Sequence, residues 1–283
     1  MIKIISDSTC DLSSDILARY GISILPLHIL LGEEEYSDSR NITPDQIFAW
    51  SDKYKTTPKT SAPSLDETVS FFRSFIKLDH EIIAFSISES MSSSNQVMHL
   101  AAQTLEAEDR ISVIDSKNLS TGIGLLVIEA AVMAAEGKSR AEIVSRIEHL
   151  VPLVRASFVV DTLTFLHRGG RCSGLAALAG SVLQLHPRIF VADGTMSPGK
   201  KYRGSIGKAS LEYAKDMEED LLHAKKDRVF VTHTQRDENV VLSVKRYLEE
   251  LDYFDEILTT HAGGVVSSHC GPGTLGVLFI AGE

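Results

Sequence analysis

Apolar and polar positions change period several times along the 283 residues, and each change delimits an element. Residues 2–5 (Ile-Lys-Ile-Ile) read as a short strand of the buried type, and residues 13–20 as a helix closed by Gly21. Residues 22–31 form a second apolar run. Thr43 before Pro44 gives an N-cap with proline at the first helical position, which predicts a helix through Tyr54, and Ser64 with Glu67 has capping-box spacing for another. Strand patterns return at 82–88 and 111–114. Each is followed by a helical pattern, at 94–106 and 119–135, and Gly122 and Gly124 in the latter point to close packing on a neighbour. This βα alternation predicts a parallel sheet flanked by helices.

A helix at 139–150, then Pro152 and a change of texture, mark a boundary. Beyond it, residues 156–160, 188–191, 229–232, 256–259 and 275–280 read as strands, interleaved with helices at 175–185 and 240–251. The Asp193-Gly194 turn signal predicts a hairpin, so this second sheet should be mixed in direction. The expected class is α/β in two domains. Residues 1–153 hold the parallel sheet and residues 154–283 the mixed one.

Composition narrows the function classes. Hydrophobic residues make up 43% and charged ones 23%, a globular balance, and no apolar run reaches the roughly 18 residues of a membrane span. The amino terminus reads as a strand rather than a secretory leader. Cys10, Cys172 and Cys270 have no zinc-like spacing, which favours a reducing cytoplasm and free thiols. A formal charge of −10 argues against a general nucleic-acid surface and leaves only a local basic stretch at Lys200-Lys201-Tyr202-Arg203.

The polar chemistry gathers where a ligand of an open parallel sheet would sit, beyond the carboxyl ends of the strands. Those ends read Ser6-Asp7-Ser8-Thr9, Ser86 to Asn95 with five further serines between, and Asp115-Ser116-Lys117; the loop Lys59-Thr60-Ser61-Ala62-Pro63-Ser64 adds more hydroxyls. Hydroxyls and helix-start N–H groups hold a small carboxylate without burying many full charges, although any one of these serines serves equally as a helix cap. Near the carboxyl end, glycines and a proline surround His269, in Gly263-Gly264 and Gly271-Pro272-Gly273, and leave backbone uncovered for a ligand's approach. No Walker pattern occurs, Gly122-Ile-Gly124-Leu-Leu-Val127 lacks the third glycine of a dinucleotide fingerprint, and neither a Gly-x-Ser-x-Gly elbow nor His-Glu-x-x-His is present. Composition alone leaves a serine hydrolase open, with a strand-end serine as nucleophile and His269 as base. A DNA-associated regulator would need a reading helix that the pattern does not show.

Several ordered motifs together resemble the DegV family, the fatty-acid-binding subunits of bacterial fatty acid kinase. They are Ser6-Asp-Ser-Thr-Cys-Asp-Leu12, Lys59-Thr-Ser-Ala-Pro-Ser64, residues 87–96, Asp115-Ser-Lys117 with Ser120-Thr-Gly-Ile-Gly124, Leu163-Thr-Phe-Leu-His-Arg-Gly-Gly-Arg171, and residues 264–276 around His269. The resemblance implies a long-chain fatty acid buried between two α/β domains, its carboxylate at the polar end of an apolar tunnel. It implies that Thr60 and Ser92 bind the carboxylate, with Ser61 and Ser93 beside them. His269 answers to the family's His-x-Gly-Pro-Gly and Arg171 to its Gly-Gly-Arg; Arg171 also suits a purely structural anchor. The partner implied is a separate dihydroxyacetone-kinase-like subunit that binds ATP, phosphorylates the carboxylate and yields acyl phosphate for phospholipid synthesis. Lys201 and Arg203 fall on the family's Lys-x-Arg stretch and are the expected docking residues. The chain itself would then be a carrier with no cofactor and no catalytic motif; the alternative is an esterase or thioesterase acting on acyl substrates. Three positions depart from the family: Ser93 stands where glycine is usual, Asn95 where an aromatic residue is common, and Cys172 where an aliphatic one follows the arginine.

Overall fold

Four successive residues at the carboxyl end of β1 (Ile2–Asp7) are buried, as befits a central strand covered on both faces. The chain continues through α1 (Ser14–Tyr20), β2 (Ser23–Leu25), β3 (His28–Leu31), β4 (Glu34–Ser37), α2 (Pro44–Tyr54), β5 (Lys59–Ser61), α3 (Leu65–Ile76), β6 (Glu81–Ser86), α4 (Ser94–Thr104), β7 (Ile111–Asp115), α5 (Thr121–Ala135) and α6 (Arg140–Leu150). The sheet in order β2-β1-β6-β7 is parallel throughout. Capping boxes start α2, α3 and α6, at Thr43 with Gln46, Ser64 with Glu67 and Ser139 with Glu142.

After residue 153 come β8 (Val154–Val159), α7 (Thr164–Gly169), β9 (Leu185–Ala192), β10 (Thr195–Arg203), α8 (Ile206–Lys215), α9 (Glu218–Leu222), β11 (Arg228–His233), α10 (Glu238–Glu250), β12 (Glu256–His261), α11 (Gly264–Cys270) and β13 (Leu275–Ile280). Their sheet, in order β10-β9-β8-β13-β11-β12, is mixed: β11 and β12 are parallel and the other pairs antiparallel. The protein is thus an α/β fold with a parallel sheet first and a mixed sheet second. The computed structural model describes residues 1–171, 185–234 and 237–283. Cys172 and, apart from Leu185, the helix expected at 175–185 lie outside the described residues.

Two features depart from the sequence reading. Pro26 breaks the apolar run at 22–31 into β2 and β3, which enter different sheets, and an unexpected antiparallel sheet forms in order β4-β3-β5. Strands of three or four residues are too short to show alternation. The glycine-flanked segment before His269 is not open backbone but the helix α11, entered at Gly263.

The long helix α5 joins the two halves. It is apolar almost all round, as a helix enclosed by other elements must be. Its neighbours in one apolar cluster include Ile4 and Phe85 on one side and Phe158, Phe230 and Leu278 on the other. Gly124 is required here, because a Cβ would lie 2.7 Å from Leu12 Cδ2 and 3.0 Å from the Cys10 carbonyl oxygen. Close packing at that glycine was the expectation, with no neighbour named, and the neighbour is the turn after β1.

Candidate ligand-binding site

Many of the strand-end hydroxyls already serve the protein. Ser8 Oγ accepts from Leu27 N at 3.1 Å, Ser86 Oγ accepts from Asn95 Nδ2 at 3.0 Å, and Ser88 Oγ donates to the Gly194 carbonyl at 2.7 Å. Ser116 Oγ accepts from Asn118 N at 3.1 Å. Asp7, buried beneath them, accepts from Ile87 N at 2.8 Å and from Thr9 N at 3.1 Å. The Ser88 bond docks the tip of the β9–β10 hairpin on the loop after β6. Gly194 there has φ +78° and leaves no room for a side chain, since a Cβ would lie 2.6 Å from Ser88 Oγ.

Four further hydroxyls line a cavity of about 260 Å³. Thr60 and Ser61 from β5, Ser92 and Ser93 ahead of α4, and His269 and Arg171 form its polar part. Leu27, Ile87, Met91, Leu119, Met196 and Val266 supply much of the apolar wall. A second void of about 20 Å³ shares Leu119, Val266 and Cys270 with it and is bounded beyond them by Phe158 and Leu278. Polar groups at one side and aliphatic surface behind them suit a ligand with a charged or polar head and an apolar body. A larger groove, about 800 Å³, runs beside β7, β8 and β9, but none of the expected site residues lines it and its charges, from Asp115, Glu148, Asp193, Lys117, Arg155 and Arg188, are mixed.

The centre of the polar part is a hydrogen bond between Thr60 Oγ1 and His269 Nε2, 2.8 Å long, joining residues 209 positions apart. Burial, with the Arg171 cation adding to it, pushes the His269 imidazole down to about 4, so the ring is neutral at physiological pH. The other ring nitrogen, Nδ1, is buried without a hydrogen-bond partner among the described residues. It faces Gly169, where a Cβ would lie only 2.5 Å away. An orphaned N–H costs more than an orphaned lone pair has to, roughly 1–3 kcal/mol. The proton therefore belongs on Nε2, which donates to Thr60 Oγ1 and leaves the threonine hydroxyl proton free to point elsewhere. Gly169 was named in the sequence only as part of a motif; its closeness to the ring was not readable there.

The other expected residues are placed as follows. Ser92 Oγ lies 3.0 Å from Ser94 Oγ and accepts from Ser94 N at 3.3 Å. Ser93 is the exposed N-cap of α4 with φ −80°, a conformation that needs no glycine, so its departure from the family pattern adds a hydroxyl without straining the backbone. Asn95 is buried and spent on Ser86. Arg171 is exposed and donates to the Gly169 carbonyl at 2.7 Å, tying the turn that backs the histidine while also lining the cavity. Lys201 and Arg203 stand exposed on either side of buried Tyr202. They are not brought to the cavity: Arg203 is seven residues along β10 from the cavity-lining Met196, on the order of 20 Å at strand rise. Cys10 and Cys270 are buried. Among the described residues no hydrolytic triad forms around His269: its Nδ1 has no carboxylate partner there and the Nε2 bond goes to a threonine.

Fold and site together define an α/β protein with a partly apolar cavity ended by hydroxyls and a neutral imidazole. The family model described as an uncharacterised protein of the DegV family matches residues 1–282, and the chain belongs to that family. A DegV domain-containing protein of Deinococcus radiodurans is 32% identical over 276 residues, 98% of this chain and 97% of that one. Among solved structures, a DegV family protein from Thermus thermophilus, described for its fatty acid binding, is 30% identical, covers 99% of both chains and superposes with a TM-score of 0.91. A stearic-acid-binding protein from Eubacterium ventriosum is 29% identical, with 99% of this chain and 98% of that one covered and a TM-score of 0.83. No helix among the described residues is long and apolar enough to cross a membrane.

Proposed function

We propose that the chain binds a long-chain fatty acid in the cavity between its parallel and mixed sheets, with the carboxylate at Thr60 and Ser92 and the acyl chain along the aliphatic wall. The observation that carries this is the His269–Thr60 bond at the polar part of an otherwise largely aliphatic cavity. With Nε2 as donor, Thr60 gives its own proton to the carboxylate, and His269 acts through it. Ser92 supplies a second donor, and Ser61 and Ser93 stand close by at the same part of the wall. Arg171 contributes positive potential from its exposed position. The two similar structures described as binding fatty acids support the ligand class. Each methylene removed from water contributes about 0.8 kcal/mol, so a ligand with a long chain should survive purification.

The place in metabolism follows from the family resemblance. In this reading the chain is a cytoplasmic carrier without a cofactor, which presents the carboxylate to a separate dihydroxyacetone-kinase-like subunit for ATP-dependent phosphorylation, and the acyl phosphate enters phospholipid synthesis. Lys201 and Arg203 are the proposed docking residues for that kinase. Reconstitution with such a kinase, ATP and oleate tests this part: acyl phosphate should form only with both proteins present. Turnover of acyl esters by the chain alone would instead favour the esterase reading.

A further inference from the structure

We infer that Asp11 and Asp38 are positioning residues for the carboxylate end of the site: they fix where α11 begins, and so where His269 meets Thr60. Both lie far from the histidine in sequence, and neither lines the cavity. They are 6% and 0% exposed, and a carboxyl group buried to that degree requires hydrogen-bond donors. The donors are the backbone N–H groups of Gly263, 2.8 Å from Asp11 Oδ1, and of Gly264, 2.8 Å from Asp38 Oδ1. These are N–H groups at a helix start, which no carbonyl of the same helix can satisfy. Asp11 Oδ2 also accepts from Ser120 Oγ at 2.5 Å, which anchors the carboxyl to the start of α5.

The fit leaves no slack. A Cβ on Gly264 would lie 2.9 Å from Asp38 Oδ1 and 2.6 Å from Ile29 Cδ1, and one on Gly263 would lie 3.0 Å from Asp11 Oδ1. Glycine at both positions lets the two carboxyl groups reach the helix start. His269 follows five residues after Gly264, about 7.5 Å along a helix of only seven residues, so a displaced start is carried directly to the imidazole. Burial raises Asp11 well above the usual carboxylate range and raises Asp38 as well. The clamp survives protonation, because a neutral carboxyl keeps a carbonyl oxygen as acceptor.

The inference rests on the fatty-acid reading only for its ligand, and its test separates the two. Asp38→Asn keeps a carbonyl oxygen for Gly264 N, while Asp38→Leu removes the acceptor and keeps the branched four-atom outline. The readouts are the imidazole nitrogen shifts of His269 in the ligand-free full chain and the Kd for oleate. Asp38→Asn should leave both within about twofold or unshifted. Asp38→Leu should shift the His269 resonances and weaken oleate roughly tenfold or more, as misplacement of a positioned group does. In a Thr60→Val background the further loss from Asp38→Leu should fall below about twofold, since the clamp acts through that bond. Unshifted His269 resonances in folded Asp38→Leu, or fully additive losses, overturn the inference. If Asp38→Leu does not fold, Gly264→Ala makes the same test by pushing the helix start off Asp38; the same shift is expected and its absence overturns the inference. Failure of the ligand reading looks different: the parent protein then binds no oleate, while the resonances still report the clamp.

Discussion

Replacing Thr60 by valine together with Ser92 by alanine strips the proposed carboxylate of its two hydroxyl donors at almost constant shape. Valine has the outline of threonine and suits a strand, so β5 should form as before. The loss is worked from the hydrogen bonds. A bond to a charged group contributes about 1.5–3 kcal/mol, so Thr60→Val alone should weaken binding by roughly 10- to 150-fold. Ser92 shares its oxygen with Ser94, so Ser92→Ala should add less, at the lower end of that range. Thr60→Val also leaves His269 Nε2 without its 2.8 Å partner. Because the ring is only part-buried at the cavity wall, water can take over that role, and the ligand-free protein should lose no more than about 1 kcal/mol. Displacement of a fluorescent fatty acid measures the affinity, and a thermal melt of the stripped protein measures the stability. An oleate Kd within twofold of the parent, in a folded double variant, would refute the placement of the carboxylate.

Gly169→Ala puts a methyl 2.5 Å from His269 Nδ1, so the ring must move; overpacking of this kind costs about 1–3 kcal/mol, and oleate affinity should fall with stability in a melt and a titration. Parent-like affinity would show that the ring position does not matter. The folded protein holds His269 at about 4 against an ordinary value near 6.5, so the unfolded chain binds the extra proton between those limits. The contribution of His269 is therefore complete above about pH 6.5 and is lost as the pH falls toward 4, by up to about 3 kcal/mol. Asp7, raised by burial to about 6, works in the opposite sense over much the same window, so the comparison must be with His269→Gln: the parent should lose stability relative to that variant as the pH falls, and a constant difference would contradict the shift. For Arg203→Ala, oleate binding should be unchanged while phosphorylation by the kinase subunit falls; unchanged phosphorylation removes Arg203 from the docking surface.

The legible parts of the fold were those with local causes. Ser64 and Glu67 announced a helix start because both partners of a capping box lie within one turn. Asp193-Gly194 announced the hairpin because both residues take positive φ, +49° and +78°, which few residue types tolerate. The sheet of β4, β3 and β5 was not legible, although it carries Thr60, because its strands are held by pairing rather than by a pattern of their own. Gly263 and Gly264 read as exposed backbone, yet they begin a helix because acceptors from Asp11 and Asp38 reach them from 252 and 226 residues away. The same distance hid the role of the acids: nothing near Asp38 in sequence says that it is buried. Thr60, Ser92, Arg171 and His269 were named through the family's motifs, and the structure brings all four to one cavity; the bond between Thr60 and His269 required the fold.

Native mass spectrometry of the protein, purified without detergent and then offered oleate or palmitate, is the direct test of fatty-acid binding. A one-to-one complex with a fatty acid is expected, either carried through purification or formed on addition, with marked depletion in the Thr60→Val, Ser92→Ala variant. A protein that carries no fatty acid and takes up neither oleate nor palmitate would contradict it.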